Sequence, residues 1–117
     1  MTIVLDASAL LAYLNNETGA DNVDAVISKS LISTVNWSEV VQKSLSRGVK
    51  TEGLREDLES LGVSIEAFTL EDAECAAKLW PITRILGLSL GDRACLAFAM
   101  RRQVPVFTAD RAWVEIA

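Results

Sequence analysis

The sequence predicts an α/β fold in which a mainly parallel β-sheet is covered on both faces by helices. Three observations predict it. Short β-rich apolar runs alternate with stretches of helical periodicity along the 117 residues. The connections between them are short. Several of the strand-like runs are apolar without polar alternation, as strands buried on both faces are.

Taken in order, residues 2–5, TIVL, form a short apolar strand. Asp6, Ala7 and Ser8 follow, and then a helical segment, ALLAYLN. Residues 18–29 read as a second helix with Val23, Val26 and Ile27 on one face. Residues 31–35, LISTV, are strand-like and lead into a helix over 37–47, where Trp37, Val40, Val41, Ser44 and Leu45 recur at helical spacing. Residues 51–61 predict an amphipathic helix through Leu54, Leu58 and Leu61, stopped by Gly62. Residues 63–68, VSIEAF, alternate as a strand does. The stretch 71–86 is helical, with Pro81 expected to kink or interrupt it. Residues 89–102 form an Ala-rich helix. Residues 104–108, VPVFT, form a strand whose Pro105 suits a strand's beginning or a sheet edge. Asp110 begins a last short turn or helix through Trp113. There is no repeat, low-complexity tract or linker, so one domain over 1–117 is expected.

Half of the residues are hydrophobic and 23% are charged, as in a folded globular chain. No apolar run approaches the ~20 residues of a membrane helix. The opening MTIVLDAS lacks the basic region of a secretion signal, and a cytoplasmic protein with no membrane partner is expected. Cys75 and Cys95 sit in apolar, Ala-rich segments and read as small buried hydrophobes. The chain contains no histidine. That excludes imidazole acid–base chemistry and His-ligated zinc or iron. The net charge of −5 argues against nucleic-acid binding by bulk charge.

The carboxylates are the informative feature. Asp6 directly follows the first strand. Glu39 lies four residues beyond LISTV, in the first turn of the helix expected there. Asp92 is in the first turn of the helix opening at Ser89. Asp110 lies just past VPVFT. In an open parallel sheet, ligands bind outside the carboxyl ends of the strands, so acids distant in sequence can converge there. Carboxylates gathered together repel one another unless some take up protons or a cation sits among them. Oxygen donors without His or Cys suit Mg2+ or Mn2+. Ser8, Asn36, Ser89 and Thr108 stand beside the four acids and could orient them. A competing reading treats the acids as helix caps: Asn36-x-x-Glu39 and Ser89-x-x-Asp92 match capping boxes, and Ser8 and Asp110 are natural N-caps. Asp6, placed before a capping Ser8, is the acid that reading leaves out.

Four segments, VLDASALLAYL at 4–14, STVNWSEVVQKSLSRG at 33–48, GLSLGDRACLAFA at 87–99 and PVFTADRAW at 105–113, carry a family resemblance. Through them the chain resembles the PIN-domain ribonucleases, and more closely the VapC toxins of bacterial toxin–antitoxin pairs. The resemblance implies a PIN-like three-layer α/β/α fold with a sheet of four to five strands. It also implies Mg2+- or Mn2+-dependent cleavage of RNA, of the tRNA or rRNA class. Asp6, Glu39, Asp92 and Asp110 match the family's acidic quartet, with Asp6, Asp92 and Asp110 as metal ligands. Thr108 and Ser8 match its polar companions. A homodimer and a small VapB-type antitoxin are implied as partners. Family members commonly continue into one more strand than follows TADRAW here, so that edge strand is expected to be missing or rudimentary.

Arg84 and Arg93 are candidate RNA contacts, with Lys43, Arg47, Lys50 and Arg111 as further basic residues near the acids. Two other functions compete. A strand-end aspartate can be a phosphatase nucleophile, although that chemistry usually has a second acid two residues on, where Ser8 stands. A non-catalytic interaction module would leave the acids as caps only.

Overall fold

Four parallel strands form the sheet of the computed structural model, which describes residues 2–109. They are β1 (Ile3–Leu5), β2 (Ser30–Ser33), β3 (Ser64–Glu66) and β4 (Val106–Phe107), in the order β3-β2-β1-β4. The expected last turn from Asp110 through Trp113 lies outside the described residues. Parallel pairing sets Ile3 opposite Ser30, Leu31 opposite Ser64, and Val4 opposite Val106. Pro105 precedes β4, and its carbonyl accepts from the Val4 amide at 2.8 Å. Its missing N–H costs little there, because Pro105 stands just before the first paired residue of β4.

The helices are α1 (Ala7–Leu14), α2 (Ala20–Asp24), α3 (Thr34–Ser46), α4 (Leu54–Ser60), α5 (Leu70–Lys78), α6 (Trp80–Thr83) and α7 (Leu90–Arg102). Strand side chains alternate faces, and the two cores follow that alternation. Leu5 and Ile32 pack with Leu10 and Leu11 of α1, Val23 of α2, Val40 of α3 and Leu58 of α4. Val4 on β1 packs the other way, against Cys95, Phe98 and Ala99 of α7, with Leu31 and Val106 beside it. This gives the three layers. Each fully buried aliphatic or Phe side chain contributes roughly 1.5–3 kcal/mol.

The α5–α7 contact is partly ionic. Thr69 and Asp72 form a capping box at the start of α5. Asp72 also accepts from Arg101 at 2.8 Å and Arg102 at 3.0 Å, and the Arg102 guanidinium lies over the Phe98 ring. No helix among the described residues is long and apolar enough to cross a membrane.

Several expected boundaries shift. The helix expected over 37–47 starts at Thr34, because Ser33 caps it by accepting from the Asn36 amide at 3.2 Å. Thr34 and Val35 favour strand locally, but the cap decides. Asn36 is therefore inside the helix rather than its cap, and Glu39 belongs to its second turn. Asp6, not Ser8, caps α1. The helix expected over 18–29 stops at Asp24 and resumes as a 3-10 turn over Ile27–Lys29. There Ser30 Oγ donates to the Val26 carbonyl at 2.7 Å. The 71–86 stretch breaks at Leu79, ahead of Pro81, as the proline implied.

Candidate active site

The strand order reverses between β1 and β4, since β1 is followed in sequence by β2 on one side and bordered by β4 on the other. A crevice at the carboxyl ends of such strands is where an open α/β sheet binds its ligands. Asp6 and Thr108 both stand there, one past β1 and one past β4. Asp6 is only 3% exposed. Its carboxylate accepts from the Ala9 amide at 2.8 Å, from Ser8 Oγ at 2.8 Å and from the Thr108 hydroxyl. Ser8 Oγ in turn accepts from the Ala109 amide at 3.1 Å, which fastens the segment after β4 to α1. The companions Ser8 and Thr108 thus fix both oxygens of the first acid.

Glu39 and Asp92 reach the same place from α3 and α7. Ser89 caps α7, and Asp92 closes the capping box by accepting from the Ser89 amide at 3.0 Å. Asn36 Nδ2 donates to Glu39 Oε1 at 2.8 Å and to the Gly91 carbonyl at 3.0 Å. One amide therefore joins α3 to α7 and holds Glu39 against the turn that carries Asp92. The result is a cleft of about 230 Å³ whose walls include Asp6, Glu39, Asp92, Asn36, Ser8 and Ser89. The cap reading is true of Asp92, which closes the capping box with Ser89. Asp6, which that reading left out, is itself the cap of α1, and both acids face this cleft.

Electrostatics separate Asp6 from an ordinary cap. Burial pushes its carboxyl pKa up; the hydrogen bonds from Thr108, Ala9 and Ser8 oppose that, and the nearby Asp92 charge adds to it. The buried Cys95 thiol is raised first by desolvation and then by the charges of Asp6, Asp92 and Glu39, so all three acids act on one point of the core. Asp72 is the contrast. It is equally buried, and burial alone would raise it. Hydrogen bonds from Arg102, the Thr69 amide and Arg101 outweigh burial and hold it at about 2. Among the described residues, no ion pair engages Asp6, Glu39 or Asp92.

The model of the PIN domain family matches residues 3–117. The chain belongs to the PIN domain family. Three solved structures are similar to it in fold. VapC20 of Mycobacterium tuberculosis, a sarcin–ricin-loop-cleaving toxin, gives a TM-score of 0.79 at 17% identity over 99% of this chain and 95% of that one. A toxin–antitoxin complex from Klebsiella pneumoniae gives 0.77 at 18% identity, over 98% and 92%. VapBC2 from Rickettsia felis, bound to a DNA fragment from their promoter, gives 0.69 at 17% identity, over 99% and 93%. No curated protein sequence matches the chain significantly.

The donors of this PIN domain fit a hard divalent cation in kind. Carboxylate and hydroxyl groups line the cleft, and among the described residues no thiol does. Among the described residues, no three His, Cys, Asp or Glu side chains are gathered tightly enough to hold an ion by themselves. Each acid is instead engaged by its own protein donor, and Asp110 lies outside the described residues. Sequence reasoning named Lys43 among the basic residues without singling it out. The structure places it on the cleft wall, one helical turn beyond Glu39 on α3. Arg84 and Arg93 do not line the cleft. Arg84 lies over the Trp80 ring, 5.5 Å from its centroid, and Arg93 donates to the Ala76 carbonyl at 3.2 Å.

Proposed function

We propose that this PIN domain is a divalent-metal-dependent endoribonuclease, the toxin of a toxin–antitoxin pair, with Asp6, Glu39, Asp92 and Asp110 as its catalytic acids. The observation that carries the reading is the contrast between two buried aspartates. Asp72 is neutralised by two guanidiniums, whereas among the described residues Asp6 has only neutral hydrogen-bond donors and shares its cleft with two further carboxylates and a single lysine, Lys43. Three carboxylates facing one lysine leave net negative charge for a bound cation to offset. All-oxygen donors favour Mg2+ or Mn2+ over softer metals. Family membership supports RNA cleavage. The toxin among the related folds supports rRNA or tRNA as the substrate class, and the toxin–antitoxin complex supports a small VapB-type antitoxin as partner. A cytoplasmic homodimer completes the proposal.

A divalent ion supplies Lewis acidity and charge neutralisation to phosphodiester hydrolysis. Asp6 and Asp92 would hold it, with Asp110 as a third ligand. Ser8 and Thr108 keep the Asp6 carboxylate in one orientation. Ser89 does the same for Asp92, and Asn36 for Glu39. Glu39 accepts the proton of the attacking water. Lys43 meets the scissile phosphate, while Arg84 and Arg93 touch RNA farther out.

Calorimetric titration with Mn2+, run beside cleavage of tRNA and rRNA fragments, tests this. Wild-type protein should bind Mn2+ and cut, and Asp6→Asn should do neither. A wild-type protein that takes up no Mn2+, or an Asp92→Asn protein that cuts RNA as well as wild type, would sink the proposal. Phosphate release from a monoester without RNA cleavage would instead point to aspartyl-phosphate chemistry.

A further inference from the structure

We infer that Gly91 is a positioning residue for Glu39: the missing side chain at this one helical position gives the Glu39 carboxylate its place beside Asp92. The inference rests on the proposal that Glu39 is an active-site acid, and it concerns how that acid is held.

Gly91 is buried in the first turn of α7. It is not among the glycines with positive φ, so its backbone conformation is open to any residue. Glycine is a poor helix former, and alanine would serve the helix better. The space explains the glycine. A Cβ placed there would lie 2.6 Å from Glu39 Cδ and Oε1, and closer still to Oε2. The nearest atoms are all of the Glu39 carboxyl group. From the other side Asn36, 1% exposed, donates to Glu39 Oε1 and to the Gly91 carbonyl. Its own Oδ1 accepts from Ser33 Oγ at 2.8 Å, so its orientation is fixed from the end of β2. The carboxylate is thus seated between a clamped amide and a bare backbone.

A methyl group at position 91 meets the free end of a flexible side chain, not backbone. The helix can stay, and Glu39 must swing away. Folding and positioning therefore separate in the variant Gly91→Ala.

The experiment compares wild type, Gly91→Ala, Glu39→Asp, the double variant and Glu39→Ala. Its readouts are metal-dependent RNA cleavage, metal-free melting temperature and a metal-free crystal structure of Gly91→Ala. Gly91→Ala should melt no lower than wild type, show the Glu39 carboxylate displaced from an unmoved α7, and cleave roughly 10–100-fold more slowly, as loss of a supporting contact does. Glu39→Asp, one methylene shorter, retracts from the glycine and is itself impaired. Adding Gly91→Ala to it should cause no further loss, whereas a merely structural role for Gly91 would make the losses multiply. Wild-type cleavage by Gly91→Ala, multiplying losses, or an undisplaced Glu39 would overturn the inference. Wild-type cleavage by Glu39→Ala would overturn the underlying reading of Glu39, and the inference with it.

Discussion

At the scale of single residues, charge compensation distinguishes structural from reactive acids. Asp72 is fully buried and receives Arg101 and Arg102, of which 38% and 23% of the side chains stay exposed. Replacing it with asparagine should destabilise the protein by about 2 kcal/mol, below the range for fully buried pairs because the arginines keep some water. The Asp72 pKa is about 2, below its ordinary 3.8, so the folded state binds that proton less readily than the unfolded chain. Its contribution is complete above the ordinary value and fades as pH falls through about 2. Urea midpoints for wild type and Asp72→Asn should therefore differ at pH 5 and converge toward pH 2. A gap independent of pH would show that the ion pairs are not its source. Asp6 should behave in the opposite way. An asparagine there keeps the cap to Ala9, and the hydroxyls of Ser8 and Thr108 can turn to suit an amide. It also removes a buried charge crowded by Asp92. Metal-free Asp6→Asn should melt at or above the wild-type temperature while losing Mn2+ uptake. A large drop in melting temperature would mean the charge is already compensated.

At the scale of elements, most of the fold was legible. Each strand was placed by a short apolar or alternating run; β1, β3 and β4 lie within their expected ranges, whereas β2 runs from Ser30 to Ser33 instead of over 31–35. Some misplacements came where a side-chain cap decided a helix start, as Ser33 does for α3 and Asp6 for α1, and one where a contact distant in sequence intervened. Gly62 has φ of 108°, and a Cβ on it would stand 2.6 Å from the Ser28 backbone. The expected 18–29 helix gives way to a tighter turn at that crossing. Gly62→Ala should accordingly cost about 2–3 kcal/mol of stability, combining left-handed strain with a backbone clash. Gly53→Ala, also at positive φ but with open space around it, should cost about 1 kcal/mol. Equal losses in chemical denaturation would remove the clash from the account. The acids of the site were legible from strand ends and helix starts, because topology brings those ends together. Lys43 and Gly91 were not singled out. Their roles depend on how α3 meets α7, and the Asn36–Gly91 bond spans 55 residues. The placement of Arg93 follows from α5 packing on α7, which no local pattern encodes. Asp110 remains a sequence-based assignment.

At the scale of the whole molecule, metal binding and stability should be linked. A cation that enters only the folded cleft stabilises by mass action, about 2.7 kcal/mol at a hundred times its dissociation constant. Mn2+ should raise the melting temperature of wild type in proportion to the logarithm of its concentration and leave Asp6→Asn unmoved. Equal shifts in both would place the ion elsewhere. Chelation should stop cleavage with no change in far-ultraviolet circular dichroism.

The bond between Asp6 and Thr108 joins residues separated by 102 positions, and β4 is the last strand described. On a ribosome the first of these residues is therefore made 102 residues before the second. A nascent chain carries β1 without its β4 neighbour, and Asp6 without one of its anchors, until Thr108 has been added. Chains stalled before Val104 should leave the α1 end open to proteases that the released protein resists. An enzyme proposed to attack the translation apparatus thus lacks one wall of its site until β4 has emerged from that apparatus.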